Sequence, residues 1–139
     1  ALVNLHNAHV RFLKIGSAPS FIKRDHEIIQ LEANNIPIGM IDFVSLDYVE
    51  ETLQHGDLLI MMSDRVYEGP TFVKNEGIWL KRKIRQIKTK EPQEIADLLL
   101  EEVIRSNNNM IRDDMTIVVA KIKKMTPKWA TIPATVSNV

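Results

Sequence analysis

The sequence predicts an α+β fold in which antiparallel sheet carries flanking helices. Three observations lead there: short apolar strands in series joined by turn-like pairs, two amphipathic helical stretches in succession, and one last apolar strand after them.

Residues Ala1 to Leu5 and Ala8 to Ile15 read as two strands joined by the turn-like pair His6-Asn7. Phe21 to Arg24 and Glu27 to Leu31 repeat the pattern around Asp25-His26, and Asn34-Asn35-Ile36-Pro37 then makes a loop. Val44 to Leu53 mixes β-branched and acidic residues, and Gln54-His55-Gly56 stops it before a buried strand from Asp57 to Met62. Thr71 to Lys90 is helical in pattern, with Trp79, Leu80, Ile84 and Ile87 on one face and Lys81, Arg82, Lys83, Arg85 and Lys88 on others. A second helix opens at Pro92, a residue suited to a first helical position. Glu91 and Glu94 stand near its positive end, and Ile95, Leu98, Leu99 and Val103 form its apolar stripe. It ends at Ser106 to Asn109. Met115 to Ile122 is a largely buried strand, and the chain from Lys123 onward, with Pro127 and Pro133, is an extended tail.

With 139 residues and 45% hydrophobic content, the chain suits one core rather than two. Its 18 basic and 18 acidic residues cancel, so no general attraction to nucleic acid or an anionic membrane is encoded. Zero cysteines exclude disulfides and thiolate metal sites and fit a cytoplasmic setting. No uninterrupted apolar run approaches a membrane span.

Two acidic clusters stand where an apolar strand meets a loop. Ser63-Asp64 follows Leu58 to Met62, and Asp113-Asp114 precedes Met115 to Val119. Carboxylates at a sheet end can share a hard divalent cation, since Mg²⁺ and Mn²⁺ prefer oxygen ligands and retain several waters. Asp also suits strand-to-loop turns for conformational reasons alone. His6, His9, His26 and His55 lack a ligand-like spacing and read as turn or surface residues, while Trp79 and Trp129 read as packing residues. The basic stretch from Lys81 to Lys88 reads as a solvated face, with docking of an acidic or phosphorylated partner as the minor alternative.

Four ordered motifs carry a family resemblance. They are Lys14-Ile15-Gly16-Ser17-Ala18-Pro19-Ser20-Phe21-Ile22, Ile36-Pro37-Ile38-Gly39, Gly56-Asp57-Leu58-Leu59-Ile60-Met61-Met62-Ser63-Asp64 and Asp113-Asp114-Met115-Thr116. Together they resemble metal-dependent serine/threonine phosphatases of the PPM (type 2C) class. Pro92-Gln93-Glu94-Ile95-Ala96-Asp97-Leu98-Leu99 and Thr126-Pro127-Lys128-Trp129-Ala130 are most similar to the C-terminal part of the stage II sporulation protein E family.

The resemblance implies a partial αββα sandwich over residues 1–124, followed by a tail over 125–139, with metal ions in a cleft at one end of the sheets. It implies Asp64 and Asp113 as ligands to Mn²⁺ or Mg²⁺ in a two-metal site that activates water for direct hydrolysis of a phosphoserine. The implied substrate is a phosphorylated anti-sigma-factor antagonist, whose dephosphorylation activates a sporulation sigma factor in a bacterium. The alternative is a catalytically inactive phosphatase-like module that binds a partner or its own copies. Asp114 is expected at most to support its neighbour, its side chain pointing away by strand alternation.

Arg65 stands where the family has Gly, and the expectation is either a remodelled turn, an impaired site or a guanidinium reaching for phosphate. Arg112 invites the same caution, and the segment from Ser63 to Pro70, with Tyr67 and Gly69, is placed to shape substrate access. None of the five glycines stands in the family's first metal motif, an Asp-Gly before a Gly-rich stretch. The expectation is therefore that the N-terminal portion of the domain is missing and that dimerisation, strand exchange or a partner segment completes it. Any membrane anchor of a parent protein would lie outside this segment.

Overall fold

Around Asp25 the chain reverses within two residues: strands β3 (Ser20–Arg24) and β4 (Glu27–Leu31) pair antiparallel with Ile22 opposite Ile29. Asp25 takes a φ of 48°, the left-handed region that Asp tolerates better than most residues with a Cβ. This is the hairpin the sequence predicts. The computed structural model describes residues 2–4, 9–13, 17–32, 48–70, 75–109 and 113–124.

Strands β1 (Leu2–Asn4) and β2 (His9–Leu13) also pair antiparallel, Val3 opposite Val10, and β5 (Tyr48–Thr52) lies against the other edge of β2. They form a three-stranded sheet in the order β1-β2-β5. The second sheet has four strands in the order β4-β3-β6-β7, with β6 (Leu58–Met62) central and β7 (Ile117–Lys121) at the edge. Every pairing is antiparallel.

Alternation along β3 and β6 divides the core in two. Ile22 and Leu59 face Val10 and Phe12 of the first sheet, with Leu31 and Leu53 completing that cluster. Phe21, Leu58 and Ile60 face the opposite way, onto α1 (Asp64–Glu68), α2 (Glu76–Gln86) and α3 (Pro92–Ser106). Because successive side chains of a strand point to opposite faces, one apolar run feeds both clusters. The described residues thus stack as sheet, sheet and helix, three of the four layers of the implied sandwich.

Several boundaries differ from the sequence reading. The helix expected over residues 71–90 is described only from Glu76 to Gln86. Asn75 caps it by accepting the Ile78 N–H through Oδ1 at 3.0 Å, and Ile87 turns to an extended ψ of 121°. Lys23, reaching across from β3, donates its Nζ protons to the carbonyls of Ile84 (2.9 Å) and Ile87 and so closes the helix's far end. In α3, Ile95, Leu99 and Val103 are buried, but Leu98 is 47% exposed, because the helix rests on the sheet along a narrower stripe than the four predicted residues. Asn107, Asn108 and Asn109 end α3 as expected, the last two at φ 55° and 58°.

Strand β7 begins at Ile117, two residues later than predicted, and is half-buried rather than largely buried, with Val118 48% exposed. Helix α1 is new, since five residues give no apolar period. The His6-Asn7 turn, the loop at Asn34 to Pro37, Arg112, Trp129 and the tail over 125–139 lie outside the described residues. No described helix is long and apolar enough to cross a membrane.

Candidate metal centre at one end of the four-stranded sheet

The register of the four-stranded sheet brings both acidic clusters to one end. Met62 closes β6 opposite Ile117, which opens β7, so the residues just beyond them are neighbours. Two hydrogen bonds fasten the junction: the Ser63 N–H donates to the Thr116 carbonyl at 3.0 Å, and the Thr116 N–H donates to Ser63 Oγ at 3.1 Å. Ser63 also precedes α1 with extended backbone, so Asp64 is the first residue of that helix. A carboxylate there sits favourably near unpaired backbone N–H groups.

A third segment converges on the same end. Strand β3 runs antiparallel to β6, which places the residues before Ser20 beside those after Met62. From there the Ala18 N–H donates to Asp64 Oδ1 at 2.6 Å. This charge-assisted bond fixes one carboxylate oxygen and leaves the other oxygen of an exposed side chain toward solvent.

Asp113 and Asp114 are both exposed and both precede β7. Strand alternation therefore does not govern their directions, contrary to the premise applied to Asp114. The Asp114 N–H donates instead to Asp113 Oδ1 at 2.8 Å, so what Asp114 supplies to its neighbour is a backbone proton.

Arg65 lies inside α1 with no positive φ, so the position makes no demand that only glycine could meet. Its guanidinium pairs with Glu68 Oε2 at 3.0 Å, one helical turn along. Tyr67 and Gly69 serve packing in this structure. The Tyr67 ring stacks on Phe21 with centroids 6.5 Å apart, and burial pushes its hydroxyl pKa up. A Cβ at Gly69, which takes a φ of 58°, would crowd the Trp79 ring at 3.2 Å.

The two carboxylates suit a hard divalent ion by donor chemistry: both offer oxygen donors, both belong to exposed residues, and each has one oxygen oriented by a backbone N–H. Among the described residues no three acidic, imidazole or thiol groups are placed together to hold an ion, so waters or further ligands would have to complete the coordination. The residues that sequence reasoning left without a role are Ala18, Ser63 and Thr116. All three stand within the family motifs, and that membership was the available signal.

Comparison with known proteins gives the family and matches the fold. The family described as Stage II sporulation protein E (SpoIIE) matches residues 1–123. A Stage II sporulation protein E from Priestia megaterium is 54% identical over 134 residues, which is 96% of this chain and 23% of the relative. The chain thus spans about a quarter of that relative's length. Among solved structures, the PP2C phosphatase domain with a fragment of the regulatory domain of the cell fate determinant SpoIIE from Bacillus subtilis matches with a TM-score of 0.83 and 52% identity. That match covers 90% of this chain and 36% of the other. The phosphatase domain of the same determinant, Mn-presoaked, matches with a TM-score of 0.80 and 49% identity, over 92% of this chain and 57% of the other. By these matches and by its fold, the chain belongs to the Stage II sporulation protein E (SpoIIE) family.

Proposed function

We propose that this chain forms part of a metal-dependent protein serine phosphatase, with residues 1–124 in the phosphatase domain and 125–139 as a tail. Its substrate is a phosphorylated anti-sigma-factor antagonist, and the product activates a sporulation sigma factor. The observation that carries the reading is the Ser63–Thr116 junction, which ties the start of α1, with Asp64, and the segment before β7, with Asp113, to one sheet end. The resemblance of both motifs to the metal motifs of type 2C phosphatases supports it, as does the Mn-presoaked phosphatase domain to which the chain is similar.

In this reading Asp64 and Asp113 hold Mn²⁺ or Mg²⁺. Such ions, when bound, supply Lewis acidity toward phosphoryl oxygens and lower the pKa of water. The chain's own residues do the positioning. The Ala18 N–H fixes one oxygen of Asp64 and so orients the other, and the Asp114 N–H does the same for Asp113. The Ser63–Thr116 pair holds the start of α1 and the segment before β7 to the ladder of β6 and β7. Arg65, engaged by Glu68, is no obstacle at the ligand, and it can reach phosphate only by giving up that exposed pair.

A second reading is favoured by one observation: among the described residues no third ligand joins the two carboxylates. A phosphatase-like module that binds a partner or self-associates would need none. Hydrolysis of a phosphoserine protein, with Mn²⁺ titrated in, separates the two. The assay compares this chain with a version extended N-terminally through the Asp-Gly metal motif, each with Asp64→Asn and Asp113→Asn. Loss of a group that merely orients a ligand costs up to about 100-fold, so each ligand substitution should lower turnover of the extended version by at least about 100-fold. Turnover unchanged by either substitution, or absent from every form while partner binding persists, sinks the phosphatase reading.

A further inference from the structure

The other end of the four-stranded sheet holds a cavity of about 320 Å³ that the proposed phosphatase chemistry leaves unused. It lies where β6 begins, at Leu58, whereas Asp64 follows the end of that strand. Six residues of extended chain separate the two places by roughly 15–20 Å. Of the residues that line it, Lys23 and Leu58 are buried and Ile87 half-buried, while the exposed ones come from the Asp25-His26 turn and from the end of α2 with the segment after it.

The charge of this cavity departs from that of the chain. The whole sequence is neutral, with 18 basic and 18 acidic residues. Here, among the described residues, Lys23, Arg85, Lys88 and Lys90 stand against the single carboxylate of Asp25. Lys23 is committed: buried, it donates to the Ile84 and Ile87 carbonyls and thereby anchors the segment that presents the other cations. Its ammonium pKa is held down, chiefly by burial and further by the charge of Lys90. Lys90 pairs with Asp25 at 3.1 Å through two exposed side chains, a contact that a stronger anion can displace. Arg85 and Lys88 are exposed and have no hydrogen-bond or ion-pair partner among the described residues. A guanidinium with free N–H groups beside an ammonium suits the oxygens of a phosphate.

We propose that this cavity binds a small phosphorylated ligand, its phosphate held by Arg85 and Lys88 and its less polar portion against Leu58 and Ile87. The volume falls in the range of small-molecule sites rather than of flat contacts with a protein. The wall offers both a cationic and an apolar part, as a phosphate attached to an organic group requires.

The test is a titration of the full chain with adenosine 5′-monophosphate and with inorganic phosphate, at constant ionic strength and in EDTA so that no ion sits on Asp64 and Asp113. Backbone amide shifts are read residue by residue. The expected result is saturable shifts confined to residues 23–26 and 85–90, tighter for the nucleotide than for phosphate. Arg85→Ala with Lys88→Ala should weaken both by about tenfold or more, the size expected for charged hydrogen bonds. The charge-preserving pair Arg85→Lys and Lys88→Arg should retain most of the binding, and both pairs replace exposed side chains outside the core. No saturable shift with either probe, shifts centred on residues 63–64 and 113–114, or affinities unchanged in the double alanine variant would overturn the proposal. Because no metal or turnover enters the readout, its failure is distinct from failure of the phosphatase reading.

Discussion

Arg65 tests how far a family pattern transfers to a single side chain. A glycine beside a ligand suggests that the backbone there needs angles closed to other residues, and Arg65 would then mark damage. The chain instead folds this position as helix, with Arg65 paired to Glu68. Restoring the family residue should therefore bring a cost and no gain. Arg65→Gly is expected to lower stability by about 1 kcal/mol, the usual penalty of glycine inside a helix, without raising turnover or metal affinity. Thermal unfolding and a Mn²⁺ titration of the variant check this, and a rise in metal affinity would mean that the arginine does obstruct the site. Asp57 makes the converse point. Only 2% exposed, it accepts from Arg24 Nε (3.0 Å), Arg24 Nη2 (2.7 Å) and the Gln54 N–H (2.8 Å), a pairing across 33 residues that local spacing could not reveal.

Among the elements, what could be read in advance follows period and punctuation. The hairpin at Asp25-His26 was legible because two strands flank a two-residue turn, and α3 was legible because Pro92 opens it and three asparagines close it. Helix α1 was not, since five residues have no period, and the junction of Ser63 with Thr116 was not, since it joins residues 53 apart. That Asp64 and Asp113 would share a sheet end could be inferred from the family motifs, but the Ala18 contact needed the strand register. The tie between the two long helices was likewise invisible: Lys83 of α2 meets Glu102 of α3 at 2.5 Å, both side chains mostly buried. The bond to Lys83 holds the Glu102 carboxyl below its ordinary value of 4.5, against the opposing effect of burial. A depressed folded-state pKa means stability that is present above the unfolded value and is lost as pH falls through the folded one. Glu102→Gln should thus destabilise the chain by about 1 kcal/mol at neutral pH, with the difference from the parent shrinking below pH 4.5. Urea unfolding at pH 7 and at successively lower pH measures it, and a difference independent of pH would assign the loss to packing instead.

At the scale of the whole molecule, the central question is whether the two core clusters behave as one. Strand β6 sends Leu59 into the cluster between the sheets and Leu58 and Ile60 into the cluster beneath the helices, and β3 divides Ile22 from Phe21 in the same way. Neither cluster can dissolve without releasing side chains from strands that the other cluster also holds. Unfolding should therefore be cooperative across all three layers, which is also what the candidate site at the ends of β3, β6 and β7 would require to stay in register. Phe12 and Trp79 allow a direct test, because Phe12 lies in the inter-sheet cluster and Trp79 in the helix cluster. Phe12→Ala removes a side chain that is 2% exposed and should cost about 3 to 5 kcal/mol. If the layers are coupled, Trp79 fluorescence, read in a Trp129→Phe background, must register that loss as a lower urea midpoint with an unchanged slope. A Trp79 transition that stays at the parent midpoint would show instead that the helix-covered sheet unfolds independently. The Ser63–Thr116 junction, which depends on β6 and β7 alone, would then survive when the inter-sheet cluster does not.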